Sequence, residues 1–151
     1  MIQDVKTTIN TKKHKKYTFD EVFKASKDYF NGDELAATTW MNKYALKNAK
    51  GEYLELTPAD MHKRMAKMFG RIEQKYSNIK TEGLSEYGQK RDVLTEQKIF
   101  NLFDKFKYVI PQGSIMYGLG NDQVIASLSN CVVIPAPHDS YGGIMYTDQQ
   151  L

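Results

Sequence analysis

The spacing of apolar residues changes near Lys107, and this change constrains the fold more than any other feature of the sequence. Over residues 17–107, apart from 77–94, apolar side chains recur every three or four positions, and most of the charged residues lie in this range. This spacing is typical of amphipathic helices. Residues 108–146 contain few charges and many glycine, proline and β-branched residues. The sequence therefore predicts a helical domain over 17–107, followed by a part with β character.

Signals at the N-termini predict four helices in the first part. Thr18 and Glu21 have the spacing of a capping box, in which each side chain accepts a hydrogen bond from a backbone N–H. Asp33 is a suitable N-cap for the second helix, and the run 57-TPAD-60 combines a cap, a proline and an acidic first turn. The fourth helix is predicted over about 95–107.

Stripes of methionine and aromatic residues along these helices predict a core rather than a cofactor site. The third helix carries Met61, Met65, Met68, Phe69, Ile72 and Tyr76, the second carries Leu35, Ala36, Trp40 and Tyr44, and the fourth carries Ile99, Leu102, Phe103 and Phe106. His62 has no partner at metal-ligand spacing, so we expect it to be structural or exposed and predict no metal site. Residues 77–94 are polar and aperiodic, which predicts a loop or frayed insertion.

The second part carries two runs that predict strands. Residues 108–110 form a short apolar run, and 124–134 is a longer one of the kind found in a parallel sheet or an α/β barrel. Three glycines in 111–122 predict a loop rather than a helix between them. Asp139-Ser140 is a candidate cap for a further helix. Because one or two strands cannot form a stable sheet alone, we expect the chain to be cut off as its β part begins.

Composition narrows the possible classes of protein. The 151 residues suffice for one domain with a core, and the single cysteine excludes an internal disulfide framework. No apolar run approaches the ~20 residues of a membrane-spanning helix, and the cysteine usage fits the cytoplasm. Part of the net charge of +3 comes from 12-KKHKK-16, at the end of a basic arm over 1–16 that we predict to be flexible. Nucleic-acid binding is the less favoured alternative, because no aromatic residue alternates with these lysines.

The single cysteine, Cys131, lies in the stretch 127-SLSNCVVIP-135. Free cysteines are often inert core residues, and this is one interpretation. A cysteine hydrolase needs a base, and His138 is too far along the same extended chain to reach the thiol. The remaining chemical interpretation is a redox role, which requires a second cysteine from elsewhere. These residues alone do not decide between a core role and a redox role.

The runs 111-PQGSIMYGLGNDQVIASLSNCVVI-134 and 139-DSYGGI-144 resemble the large catalytic subunit of ribonucleotide reductases. The helical runs over 19–46 and 57–76 are similar to the N-terminal helical domain of that family. The resemblance is closest to the adenosylcobalamin-dependent branch, and it covers nearly the whole chain except the basic arm and residues 77–94.

The resemblance implies an α+β fragment, in which a mainly helical N-terminal domain leads into the first strands of a ten-stranded α/β barrel over 108–151. It implies a reaction in which a thiyl radical starts the replacement of a ribonucleotide 2′-hydroxyl by hydrogen. The implied cofactor is adenosylcobalamin, bound outside this chain, or alternatively a metal-radical small subunit. The implied partners are a nucleotide substrate, a deoxynucleotide effector and the remainder of the reductase, and the complete enzyme is expected to be a homodimer.

Each site residue follows from its place in the family's motifs. Cys131 matches the first cysteine of the redox pair, on the first barrel strand, and burial there suits radical chemistry. The residues that match substrate-binding positions are Gly113, Ser114, Ser129 and Asn130. Asp139 and Ser140 match the start of the helix that binds the allosteric effector, a deoxynucleoside triphosphate.

Other cysteines that the family needs are missing from this chain, namely the finger-loop cysteine, the second redox cysteine and the C-terminal relay pair. We therefore expect the isolated chain to be inactive without the rest of the barrel. A split gene product, a piece of an interrupted gene and a shortened form of the protein all fit this pattern. The alternative interpretation is a noncatalytic helical interaction module or a remnant fragment.

Overall fold

Seven α-helices lie in the part of the chain that the computed structural model describes, which comprises residues 14–76, 82–129 and 131–150. The helices are α1 (Phe19–Tyr29), α2 (Glu34–Lys43), α3 (Pro58–Gln74), α4 (Glu86–Lys90), α5 (Glu96–Phe103), α6 (Gly113–Gly118) and α7 (Tyr141–Asp148). A 3₁₀ turn, Asp104–Phe106, follows α5 directly. Most of the basic arm lies outside the described residues.

The helices begin where their capping signals predict. The Thr18 Oγ1 accepts the Glu21 N–H at 3.3 Å, and the Glu21 carboxylate accepts the Thr18 N–H at 2.8 Å, which completes the predicted capping box. The Asp33 Oδ1 accepts the Ala36 N–H, in the first turn of α2, at 2.9 Å. At the start of α3, the Asp60 carboxylate accepts the Thr57 N–H at 3.2 Å. These helix starts are therefore confirmed.

The core forms where α3 packs against α5 and α6 and where α1 packs against α2. Its fully buried side chains include Val22, Met41, Met61 and Met65, joined by Trp40, Ile99 and Phe103. The predicted methionine stripe is therefore confirmed as core at Met61 and Met65, but its C-terminal end is not, because Ile72 is 40% and Tyr76 is 56% exposed. Leu102 of the predicted α5 face is exposed as well. The predicted face of α2 is partly wrong, because Leu35 is 77% exposed. The buried positions of α2 are Ala37, Trp40 and Met41.

The predicted strands after Lys107 are not formed. The described residues of 108–110 and 124–134 adopt no strand, and the β-pairing found in the described chain is limited to two isolated bridges at Tyr53. These strand predictions are wrong for this chain. The physical reason is the one that limits any lone strand: backbone N–H and C=O groups need a neighbouring strand, and the described chain supplies none.

The glycine-rich run was expected to be a loop, but its centre is the helix α6. Gly113 and Gly118 are the first and last residues of this helix, where glycine costs least, and Met116 between them is buried against the core. By contrast, the predicted cap at Ser140 is confirmed, because its Oγ accepts the Gly143 N–H at 3.0 Å at the start of α7.

The insertion over 77–94 is only partly a loop. Residues 77–81 lie outside the described residues, and 86–90 form the short helix α4, which buries no side chain. Two ion pairs attach this region to α3 and α5. The Arg91 Nη2 lies 3.5 Å from the Glu73 Oε1, and the Lys98 Nζ lies 2.9 Å from the Asp92 Oδ2.

Candidate functional site

The N-terminal end of α6 contacts the segment that leads to the cysteine. The Ser114 Oγ donates a hydrogen bond to the Leu128 carbonyl at 2.9 Å. At the other end of α6, a Cβ added to Gly118 would lie 3.0 Å from the Leu128 side chain and 3.1 Å from Ala126 Cβ. Residues 126–128 therefore cross α6 at close range. This crossing brings one predicted substrate residue, Ser114, against the SLSNC stretch, whereas the adjoining Gly113 lies against the Tyr44 ring.

Cys131 follows this crossing directly but is exposed rather than buried. The Ser129 Oγ donates to the Cys131 carbonyl at 3.1 Å, and the Ser129 N–H donates to Ser127 Oγ at 3.2 Å. The expectation that Cys131 lies on a buried strand is therefore wrong for this chain. No neighbouring strand or helix in the described residues covers it. Asn130, a predicted substrate residue, lies outside the described residues.

The two predicted effector residues lie at a separate helix end. Ser140 caps α7 with its own hydroxyl, so this oxygen already has a backbone partner. Asp139 is exposed and forms no hydrogen bond or ion pair with the residues that the structure describes. Both residues therefore lie at the N-terminus of an eight-residue helix, which carries partial positive charge. Their role toward an effector stays a prediction.

A buried ion pair beneath α6 was not predicted. The Arg64 Nε lies 2.7 Å from the Glu55 Oε1, and the two side chains are 10% and 5% exposed. Arg64 also donates to the carbonyls of Met116, at 2.9 Å, and Leu119. A signal for this pair exists in the sequence: Arg64 falls at helical spacing within the methionine stripe, where a charge must be buried and therefore paired.

A cavity of about 720 Å³ opens beside this ion pair, between the end of the basic arm and the loop after α6. His14 and Asp122 close one side of it, with Nε2 and Oδ2 2.7 Å apart. Burial raises the pKa of the Asp122 carboxyl, but hydrogen bonds from Gln123 and His14 outweigh this effect, so the pKa lies below its usual value. Residue 14 thus attaches the arm to the loop that follows α6.

His62 is fully buried, which confirms the structural alternative of its prediction. Desolvation lowers the pKa of His62 to about 4, so the imidazole is neutral near pH 7. Its Nδ1 lies 3.5 Å from the Tyr29 hydroxyl, and its ring meets Phe106 edge-on at 4.6 Å. Burial likewise raises the pKa of Tyr29 to about 12, with Asp104 adding to the effect. A neutral histidine beside a neutral tyrosine supports packing rather than acid–base chemistry.

Comparison with known families identifies the family of this chain. The family model described as "Ribonucleotide reductase, all-alpha domain" matches residues 30–123, which is more than half of the chain. This chain belongs to the ribonucleotide reductase all-alpha domain family. The all-alpha domain match runs from the end of α1 to the loop after α6. No curated protein and no solved structure matches the chain at a significant level.

The all-alpha domain family supports the prediction of a ribonucleotide reductase domain and leaves the predicted branch and site residues untested. It makes the chain a ribonucleotide reductase large-subunit N-terminal domain, of oxidoreductase type and mainly helical fold. Gly113 and Ser114 fall inside the match, whereas Cys131 falls outside it. The adenosylcobalamin branch and the catalytic role of the cysteine therefore stay predictions.

Metal and membrane sites are not seen in residues 14–76, 82–129 and 131–150. No group of three or more histidine, cysteine, aspartate or glutamate side chains there is placed to hold a metal ion. No helix in those ranges combines the length and apolarity that crossing a bilayer requires. The cofactor predictions concern groups bound outside this chain, so these findings do not bear on them.

Proposed function

We propose that this chain supplies the N-terminal part of a ribonucleotide reductase catalytic subunit, with Cys131 as one of the two redox-active cysteines. In this reaction the 2′-hydroxyl of the ribonucleotide leaves as water and hydrogen takes its place. Two thiols supply the two electrons and two protons and become a disulfide. Cys131 is one of these thiols, and the rest of the barrel carries the other and the thiyl radical that starts the reaction.

One observation carries the proposal: the family match ends at residue 123, and the SLSNC stretch that follows crosses back over α6. The Ser114–Leu128 hydrogen bond fixes this crossing. It joins a proposed substrate-binding residue to the segment that ends in Cys131. We propose that Gly113, Ser114, Ser129 and Asn130 contact the nucleotide substrate along this crossing.

The effector site in this proposal is the start of α7. Asp139 is free to accept a hydrogen bond from a sugar hydroxyl, and the helix N-terminus favours phosphate groups. A deoxynucleoside triphosphate is the proposed effector. Adenosylcobalamin, or alternatively a metal-radical small subunit, generates the radical from a site outside this chain, and the proposed location is the cytoplasm.

The proposed partner is the remainder of the barrel, in the same chain or a complementary one. Apolar side chains of the C-terminal part lie in water here, including Ile125, Val132 and the 95% exposed Val133. Burying this surface against further strands would be favourable, because each fully buried side chain of this size contributes roughly 1.5–3 kcal/mol. The complete enzyme is proposed to be a homodimer.

Reconstitution tests the proposal. The chain is mixed with a second chain that carries the remaining barrel and its cysteines, and deoxynucleotide formation is measured with a ribonucleotide and a dithiol reductant. We expect activity in the mixture and none with either chain alone. Cys131→Ser should abolish turnover, whereas the control Lys27→Ala, which changes a residue of α1 outside the proposed site, should retain it. Full activity of the Cys131→Ser mixture would refute the redox role.

A noncatalytic helical interaction module is the second candidate. The observation that favours it is that the core is formed by α1, α2, α3, α5 and α6, while α7 buries no side chain among the described residues. This candidate predicts hydrogen-exchange protection over 18–107 and none beyond residue 120, even with the partner chain present. Protection of 124–134 on mixing would instead favour the reductase.

A further inference from the structure

We propose that Arg64 is a positioning residue, which fixes α6 and through it the SLSNC segment. Its catalytic consequence rests on the function proposed above, but the positioning itself does not. Three observations carry the inference: the hydrogen bonds of the guanidinium, the burial and anchoring of its partner Glu55, and the close approach of Gly120.

The guanidinium of Arg64 binds the C-terminal end of α6. Nη2 donates to the Met116 carbonyl at 2.9 Å and Nη1 donates to the Leu119 carbonyl. The last carbonyls of a helix have no partner within the helix, so Arg64 satisfies groups that α6 leaves open. Its positive charge also complements the negative end of the helix dipole. Arg64 thus acts as a C-terminal cap from another helix.

Glu55 holds the guanidinium in this orientation. One carboxylate oxygen accepts from Arg64 Nε at 2.7 Å, and the other accepts the Leu46 N–H at 2.9 Å. Because both side chains are nearly buried, the charges are paired in a medium of low dielectric. The backbone after α2, the carboxylate, the guanidinium and α6 therefore form one connected chain of hydrogen bonds.

The loop after α6 wraps closely around the aliphatic part of Arg64. Gly120 adopts a φ of +74°, and a Cβ added there would lie 2.9 Å from Arg64 Cγ. Glycine permits this approach and this backbone conformation. The contact leaves the guanidinium little room to move relative to α6.

α6 depends on these contacts because it has only six residues. An isolated helix of that length is unstable in water, so tertiary contacts must hold it in place. Ser114 lies on the same short helix and bonds to Leu128, which makes the position of the SLSNC segment a consequence of the position of α6. Lysine at position 64 would keep the charge opposite Glu55 but lose the planar fork that reaches two carbonyls.

Hydrogen exchange on the full chain tests the positioning with Arg64→Lys, and the exposed Lys27→Ala serves as a control. We expect Arg64→Lys to speed amide exchange of 113–120 by about tenfold or more, since hydrogen bonds to charged groups commonly carry at least that factor. Exchange in α1 and α2 should stay within about twofold of the parent chain. Unchanged exchange at 113–120, or an equal rise in every helix, would overturn the inference.

Kinetics of the reconstituted enzyme test the catalytic consequence. We expect Arg64→Lys to raise KM for the ribonucleotide by about tenfold, because displaced substrate contacts weaken binding by roughly that factor, while Lys27→Ala leaves KM unchanged. An unchanged KM in an active Arg64→Lys mixture would refute the link between α6 and the substrate. If the mixture that contains the parent chain is inactive, the proposed function is refuted but the positioning role is not. The exchange experiment still decides whether Arg64 positions α6.

Discussion

Gly120→Ala is the substitution for which the structure gives the most definite expectation. Gly120 adopts a φ of +74°, and an added Cβ would lie 2.8 Å from Met68 Cγ and 2.9 Å from Arg64 Cγ. Real Cβ atoms essentially never approach other atoms this closely. Neither neighbour is a free side-chain end, because Arg64 is held by four hydrogen bonds and Met68 packs against the core.

The expected destabilisation has two parts. A positive φ costs an L-residue roughly 1–2 kcal/mol. Overpacking against fixed neighbours costs roughly another 1–3 kcal/mol. Gly120→Ala should therefore lower the free energy of unfolding by about 2–5 kcal/mol, a large share of the roughly 5–15 kcal/mol typical of a domain.

Gly51→Ala is the matched control. Gly51 has a nearly equal φ of +79°, but no atom lies within 4 Å of its added Cβ. It should carry only the backbone cost, about 1–2 kcal/mol. The smaller entropy of the unfolded chain after a glycine-to-alanine change is common to both variants and cancels in their difference.

Urea unfolding followed by circular dichroism measures both variants against the parent chain. We expect unchanged m-values and a Gly120→Ala midpoint below that of Gly51→Ala by the equivalent of at least about 1 kcal/mol. Equal midpoints for the two variants would refute the close packing of the loop on Arg64. A Gly120→Ala chain as stable as the parent would refute the backbone conformation as well.

Three further predictions concern stability, each measured by urea unfolding. The folded pKa of His62, about 4, lies below the ordinary 6.5, so the folded chain binds fewer protons between these values and loses stability as pH falls through this range. From pH 7 to pH 5 this loss should reach about 2 kcal/mol, and His62→Asn should remove that part of the pH dependence; an unchanged pH profile would contradict it. Glu55→Ala leaves the Arg64 charge buried without its partner and should lower the free energy of unfolding by about 3–5 kcal/mol. Lys27→Ala, which breaks the more exposed Lys27–Glu34 pair, should lower it by about 1 kcal/mol or less. Similar losses for the two variants would contradict the burial of the Arg64–Glu55 pair. Thr18→Ala removes the cap of α1 and should cost about 1 kcal/mol, with no change in the other helices by hydrogen exchange.

The helix starts could be predicted because their causes are local. The capping box at Thr18 and the bond from the Thr57 N–H to Asp60 use side chains three residues away, so the sequence contains both partners of each hydrogen bond within one turn. The burial of Met61 and Met65 follows from the same helical period. The exposure of Leu35 could not be predicted in this way, because the neighbouring helix decides which of two apolar faces of α2 is covered.

The helix α6 was missed because its stabilising partner is distant in sequence. Three glycines within 111–122 lower intrinsic helix propensity, and this is the property that a local pattern reports. Arg64 lies more than fifty residues before the two carbonyls that it binds. Tertiary capping therefore outweighs local propensity. The sequence signal for this cap is the position of Arg64, which falls at helical spacing within the methionine stripe.

The apolar run 124–134 shows that a pattern of this kind predicts burial against a neighbouring segment more reliably than it predicts a formed strand. Its β-branched residues indicate side chains that favour burial in a sheet, yet Val133 is 95% exposed and the described residues provide no neighbouring strand. A strand acquires its hydrogen bonds from its neighbours, so the same residues stay irregular until those neighbours are supplied. The proposed function gives the exposed Cys131 and the unformed strand one cause. On the proposed function, the assembly step that pairs the backbone of 124–134 is the same step that would remove the thiol from water.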